Sequence, residues 1–237
     1  MSAQTAAAHS AAAIDSLPNA GWRDLAIGGG IITGAFLFDA PIGHYFDGPH
    51  SSTATSAARN FQKFGEITGI GAVIGGLGVA AIVTRNHHLA QATLRTAAGL
   101  ALASGVTQGL KYAVGRQRPY LDPDRDATDF HWFAGTPSGS PSFPSGHTET
   151  AFALATSLGD AIDRTWARVA LYGLATGTGW ARMQQEQHWL SDIVAGAGVG
   201  ILAAKFADGR LRLFGMRAPR VLLSAHSAGV RWMVPIR

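Results

Sequence analysis

From Ile67 through Thr84 the chain carries no charged residue. Such a run, set in GEITGIGAVIGGLGVAAIVT, reads as a helix. About 20 apolar residues rising roughly 1.5 Å each span the hydrocarbon of a bilayer, and a shorter apolar core suits the interior of a bundle. Apolar or amphipathic patterns of helical period occur at about 22–38, 65–84, 89–115, 147–162, 165–181 and 189–207, so the chain is read as all-α with six main helices. The first and fifth have shorter uncharged cores, nearer to the buried helices of a bundle.

Only 14% of residues are charged, where ordinary soluble domains carry roughly 25%. Alanine and glycine make up much of the apolar content, and the mean hydropathy of +0.12 is modest, so a membrane is expected but not required. A chain of 237 residues is most simply one domain with a core that needs no staples. Cysteine is absent, which excludes disulfides, thiolate metal sites and a cysteine nucleophile. The net charge of +4 comes from scattered arginines without a basic run interleaved with aromatics, so nucleic acid is not an expected partner.

Residues 1–20 are alanine-rich and polar, without the basic start and apolar centre of a signal peptide, and read as a mobile arm. Residues 21–208 form the helical domain. Residues 209–237 are a tail whose two short extended segments around Ser227-Ala228-Gly229 read as a β-hairpin. The glycines of the second helix miss the spacing of a nucleotide loop and are read as contacts for close helix packing. In the loop YLDPDRDATDFHWFAGTPSGSPSF, the carboxylates Asp122, Asp124, Asp126 and Asp129 lack the glycine and closing glutamate of a calcium hand and read as solvated. Its aromatics Tyr120, Phe130, Trp132, Phe133 and Phe143 suit a lipid interface or a substrate mouth. His87 and His88, adjacent and pointing apart on a helix, read as surface residues.

Three polar clusters lie at helix ends. In KYAVGRQRP, Lys111 and Arg118 are seven apart, which would place two cations on one helical face, and Pro119 forces Arg118 out of the helix at its exit. Lys111 is one of only three lysines beside sixteen arginines. In SFPSGHTETAFALA, Ser145, Gly146 and His147 stand where a helix begins and where unpaired N–H groups favour an anion. Ser145 reads equally as an N-cap, Gly146 as a turn residue and His147 as a surface side chain. In ARMQQEQHWLSD, Arg182 precedes His188 by six, and Asp192 follows His188 by four, so on a helix it would accept the Nδ1 proton.

The order K-x6-R-P, P-S-G-H, R-x5-H-x3-D resembles the three-part signature of the type-2 phosphatidic acid phosphatase family, whose site is shared with vanadium haloperoxidases and bacterial class A acid phosphatases. The motifs cover residues 111 to 192 and the helix pattern about 22 to 207. The resemblance implies a six-helix bundle, membrane-embedded or membrane-associated, and a phosphatase for a phosphomonoester or pyrophosphate, most readily of a lipid, with no metal and no cofactor. It assigns Lys111, Arg118 and Arg182 to a phosphate clamp, Ser145 and Gly146 to the anion seat, His147 to the general acid, His188 to the nucleophile and Asp192 to its orientation. One departure stands out: the family's third motif usually opens with serine before arginine, and here Ala181 occupies that place.

The resemblance leaves two alternatives: a soluble periplasmic acid phosphatase for small monoesters, and a vanadate-dependent haloperoxidase. If the six helices span, Arg85, Arg95, Arg164, Arg168, Lys205, Arg210 and Arg212 lie at or near the end opposite the motifs. That places the protein in a bacterial inner membrane with the active site facing the periplasm.

Overall fold

The structure, a computed structural model, describes residues 17–122, 124–136, 139–224 and 227–231. The chain is all-α as expected, with helices α1 (Trp22–Phe36), α2 (Asp39–Tyr45), α3 (Ser52–Gln62), α4 (Ile67–Val83), α5 (His87–Val114), α6 (Gly146–Ile162), α7 (Thr165–Gln184) and α8 (Leu190–Ala207). The two helices beyond the expected six are α2 and α3, in a segment whose apolar pattern is broken by Pro41, Gly43, Gly48 and Pro49. Helix α3 forms because Ser51 caps it, its Oγ accepting from Ala54 N at 3.1 Å.

Helix α6 lies at the centre, against α5, α7 and α8. The core is built from small side chains: Ala103, Ala153, Ala203 and Ala204 pack with Ile70, Leu100 and Leu154, and Ala151, Ala155 and Ala175 form a second cluster. Small residues let the helices approach closely. A Cβ on Gly196 of α8 would lie 2.5 Å from the Ser145 carbonyl oxygen, so only glycine brings the start of α8 against the start of α6.

Of the glycines of α4, Gly69 makes a close approach as expected, a Cβ there lying 2.5 Å from the Lys63 carbonyl oxygen, and the others do not. Gly71, Gly75, Gly76 and Gly78 have nothing within 4 Å of a would-be Cβ, so they do not mediate helix packing. They sit on a helix whose Ile67, Val79, Ile82 and Val83 are exposed, as are Trp22, Ile27 and Ile31 of α1 and Trp166 and Val169 of α7. An apolar girdle of this extent is foreign to a water-soluble surface. Leu190–Ala207 is long and apolar enough to cross a membrane, with mean hydropathy 1.5. Trp22–Phe36 with Asp39–Tyr45, and Ser52–Gly65 with Ile67–Val83, qualify only as pairs, bent by 46° and 47°.

Residues 1–16 of the expected arm lie outside the described residues. Its end is tied down: β1 (Asn19–Ala20) pairs in parallel with β2 (Arg212–Leu213). The tail hairpin consists of β3 (Arg220–Ser224) and β4 (Ser227–Arg231), antiparallel with Ser224 opposite Ser227, so Ser227-Ala228-Gly229 belongs to the second strand and not to the turn.

Candidate active site

The three sequence clusters meet at one end of α5–α8. Helix α5 ends at Val114 because Gly115 takes the left-handed conformation, φ +57°. Arg118 is therefore already extended, φ −83° and ψ 147°, and does not share a helical face with Lys111. The two cations converge through the next loop: Lys111 Nζ donates to the carbonyls of Pro141 (2.7 Å) and Ser142 (3.3 Å), and Arg118 Nε to that of Ser140 (3.0 Å). This loop leads into Ser145.

Ser145 caps α6. Its Oγ accepts from Thr148 N at 3.4 Å and lies 2.9 Å from Thr148 Oγ1, while its N–H donates to the Asp192 carbonyl at 3.0 Å. That last bond locks the second motif to the third. The amides of Gly146 and His147 are left in the first turn without an intrahelical acceptor, at the positive end of the helix. His147 is half-buried and, with Lys111 and Gly146, lines a cavity of about 510 Å³.

The third cluster departs from a helical His–Asp pair. Helix α8 starts at Leu190 after an extended Trp189, so His188 precedes it and Asp192 is in its first turn. The Asp192 carboxylate caps its own helix, Oδ2 accepting from Trp189 N at 2.9 Å, and stands 3.5 Å from His188 Nδ1, a contact too long and poorly aligned to be a hydrogen bond in this state. Burial pushes the His188 imidazole down to about 3, with Asp192 opposing the shift, so the ring is neutral with a free lone pair at physiological pH.

Arg118 Nη1 donates to Gln187 Oε1 (2.5 Å) and Arg182 Nη1 to Gln185 Oε1 (2.8 Å), so the 185–188 turn is held by both arginines. The buried Arg182 Nε has no hydrogen-bond partner among the described residues. Lys111, Arg118 and Arg182 are near enough to act electrostatically on one another and on His147. Burial lowers the Arg118 guanidinium from its ordinary value, with Tyr120 and Asp192 opposing the shift.

Two residues that sequence reasoning passed over complete the centre. Arg116, 1% exposed, donates to Asp192 Oδ1 (2.9 Å), Ser191 Oγ (2.8 Å) and Asp39 Oδ2 (2.7 Å), and to the Ala127 carbonyl. Asp39, the first residue of α2 and wholly buried, also accepts from Ser191 N (2.8 Å) and Ser191 Oγ (2.6 Å). The rings of Phe36, Phe130 and Trp189 enclose the guanidinium at 5.2–5.3 Å. A signal for Arg116 was present in its place between Lys111 and Arg118; Asp39 offered only a lone carboxylate in an apolar stretch.

The loop acids cap turns of their own loop: Asp122 accepts from Asp124 N and Asp126 N, and Asp126 from Thr128 N. Trp132 and Phe133 are exposed, whereas Phe130 packs inward. His87 and His88 are both exposed.

An all-α fold with a cationic end of this kind defines the class. Residues 92–208, which hold all three motifs, match the model of the PAP2 superfamily. Over 111 residues the chain is 40% identical to the lipid A 1-phosphatase of Porphyromonas gingivalis, covering 46% of this chain and 21% of that protein, so it spans about a fifth of that relative's length. Among solved structures it is similar to LpxE of Aquifex aeolicus, with TM-score 0.55 and 18% identity over 72% of this chain and 94% of that one. It is similar also to the transmembrane PAP2-type phosphatidylglycerolphosphate phosphatase of Bacillus subtilis, with TM-score 0.57 and 17% identity over 75% of this chain and 94% of that one. At those identities the two likenesses establish the fold.

Proposed function

We propose that the chain is a lipid phosphate phosphatase that works in or at a membrane through a phosphohistidine, without a metal. The observation that carries this reading is the convergence of Lys111, Arg118 and Arg182 on the amide end of α6 beside one neutral, buried histidine and one accessible to a cavity. Phosphoryl transfer asks for positioning and for charge on the equatorial oxygens, which three cations and backbone N–H groups supply.

His188 attacks phosphorus in line, and the bond from phosphorus to the leaving oxygen breaks as His147, protonated once the bound phosphate offsets the three cations beside it, gives its proton to that oxygen. Water then attacks the phosphohistidine, His147 takes its proton, and phosphate departs with His188 restored. Asp192 accepts a hydrogen bond from the Nδ1–H of His188 as the ring acquires charge. This role needs the 3.5 Å contact to close by a few tenths of an ångström.

The exposed apolar girdle favours a lipid substrate over small soluble monoesters, and the names of the similar proteins agree with that reading. Arg85, Arg164, Lys205 and Arg210 fall at the links and helix end opposite the site, which favours a catalytic face turned away from the cytoplasm.

Phosphate release from a panel of lipid phosphates in detergent, with and without EDTA, tests the proposal. The expected result is undiminished release in EDTA together with an acid-labile phosphoenzyme that His188→Ala does not form. Activity lost in EDTA and regained with magnesium, or a phosphoenzyme in His188→Ala, overturns the mechanism.

A further inference from the structure

The cavity that His147 and Lys111 line extends over Ser104, Thr107 and Gln108 of α5 and Glu149 of α6. Glu149 is 1% exposed, yet among the described residues its Oε1 makes no well-aligned hydrogen bond and Oε2 has Ser104 Oγ at 3.5 Å, with Thr107 and Thr150 beside the carboxyl. Thr107 Oγ1, equally buried, is unpartnered too. Buried polar atoms in native proteins are nearly always paired, and two orphans in the wall of one cavity mark groups waiting for a ligand.

We propose that Glu149, with Thr107 and Ser104, binds the hydroxyl groups of the substrate's leaving alcohol and selects lipid phosphates whose phosphate is borne by a polyol or sugar. This rests on the phosphatase reading above. The general acid must face the leaving oxygen, and His147 lines this cavity, so the alcohol occupies it. The Glu149 carboxyl, the neighbouring hydroxyls and the Gln108 amide together accept and donate, the mixture that a hydroxyl-bearing ligand satisfies. A quaternary ammonium group would lack an aromatic cage: no Phe, Tyr or Trp among the described residues lines the cavity.

The test compares kcat/KM of wild type, Glu149→Gln and Thr107→Val on three substrates in one detergent: an acylated hexose 1-phosphate, phosphatidylglycerol phosphate and dodecyl phosphate, which has no hydroxyl beside its phosphate. In both variants the loss on at least one hydroxyl-bearing substrate should exceed the loss on dodecyl phosphate by about tenfold or more, mainly in KM, because buried groups of the site lose their partner. The substrate that suffers more identifies the ligand as sugar or glycerol. Equal losses on all three, or no loss on either hydroxyl-bearing substrate, overturn the assignment of Glu149 while leaving the phosphatase reading intact. A wild-type protein that releases phosphate from none of the three overturns both.

Discussion

Removing Arg116 should cost more than removing any residue that touches substrate, and it should do so through two carboxylates. In the intact protein one guanidinium faces Asp39 and Asp192, at 2.7 and 2.9 Å, with all three side chains essentially inaccessible. In Arg116→Ala two buried carboxylates face each other without a cation. Breaking a buried pair from one side costs about 3–5 kcal/mol, and each kcal/mol lowers the melting temperature of a chain of this size by about 2–4 °C. The expected drop is thus about 6–20 °C. Asp39→Asn retains an acceptor for Ser191 N and removes one of the two negative charges, so it should cost about 1–3 kcal/mol alone. In the double variant its cost should fall by about 1–3 kcal/mol, because the repulsion it relieves is present only without Arg116. Melting by circular dichroism in detergent measures the cycle, and phosphate release from the same samples should show kcat falling with Asp192 no longer held, KM changing little. Additive effects of Arg116→Ala and Asp39→Asn, or an Arg116→Ala protein that melts within about 1 °C of wild type, would refute the coupling.

The two histidines should separate by leaving group: His147→Ala should lose about 10²- to 10⁴-fold on a lipid phosphate but markedly less on p-nitrophenyl phosphate, whose anion leaves without a proton, as steady-state rates on the two substrates will show. Vanadate should inhibit competitively with lipid phosphate, since its trigonal-bipyramidal form resembles the transferring phosphoryl group, and His188→Ala should bind it more weakly by calorimetry. His188 is held neutral when folded, at about 3, but takes up a proton near 6.5 when unfolded, so its contribution is complete above pH 6.5 and declines as pH falls toward 3. Between pH 6.5 and 4.5 this amounts to about 2–3 kcal/mol, and denaturant melts of His188→Phe should show a correspondingly shallower loss in that window. Gly196→Ala should push α8 off the Ser145 carbonyl and lower both stability and kcat, measured by melting and phosphate release, because it moves Asp192 and Ser145 apart.

What could be read from the sequence was set by how local the signal was. Each motif is short enough for its residues to share one helix end, the resemblance of the three in order to the phosphatase signature assigns Lys111, Arg118, Ser145, Gly146, His147, Arg182, His188 and Asp192 to one site, and the structure gathers them at one end of the bundle. The phase of the helices at those ends was not legible. Gly115 stops α5 before Arg118, and Trp189 delays α8 until after His188, so two pairs assigned to helical faces are in fact held by turns. The Arg116–Asp39 pair spans 77 residues, a tertiary contact with no periodicity to betray it. For the α4 glycines other than Gly69, composition pointed to packing where the environment is open, because small residues suit a close contact and an unpartnered surface equally well.

The arrangement also explains why the centre has to be held by groups other than the reacting ones. Three cations within electrostatic reach of each other and the amide end of α6 repel one another unless negative charge stands between them. Without a ligand, Lys111 and Arg118 are restrained by the carbonyls of residues 140–142, and Arg118 and Arg182 by Gln187 and Gln185, all neutral acceptors that a phosphate can replace. The permanent countercharge stands behind His188: Asp192 is fixed by Arg116, Arg116 by Asp39, and Asp39 by both polar groups of Ser191. In the proposed mechanism that negative charge stands where a histidine gaining positive charge in the covalent step needs it. The apolar rings around Arg116 exclude water from that chain of contacts, which strengthens each link and leaves Arg116 more deeply buried than Lys111, Arg118 or Arg182, the three cations proposed to bind phosphate.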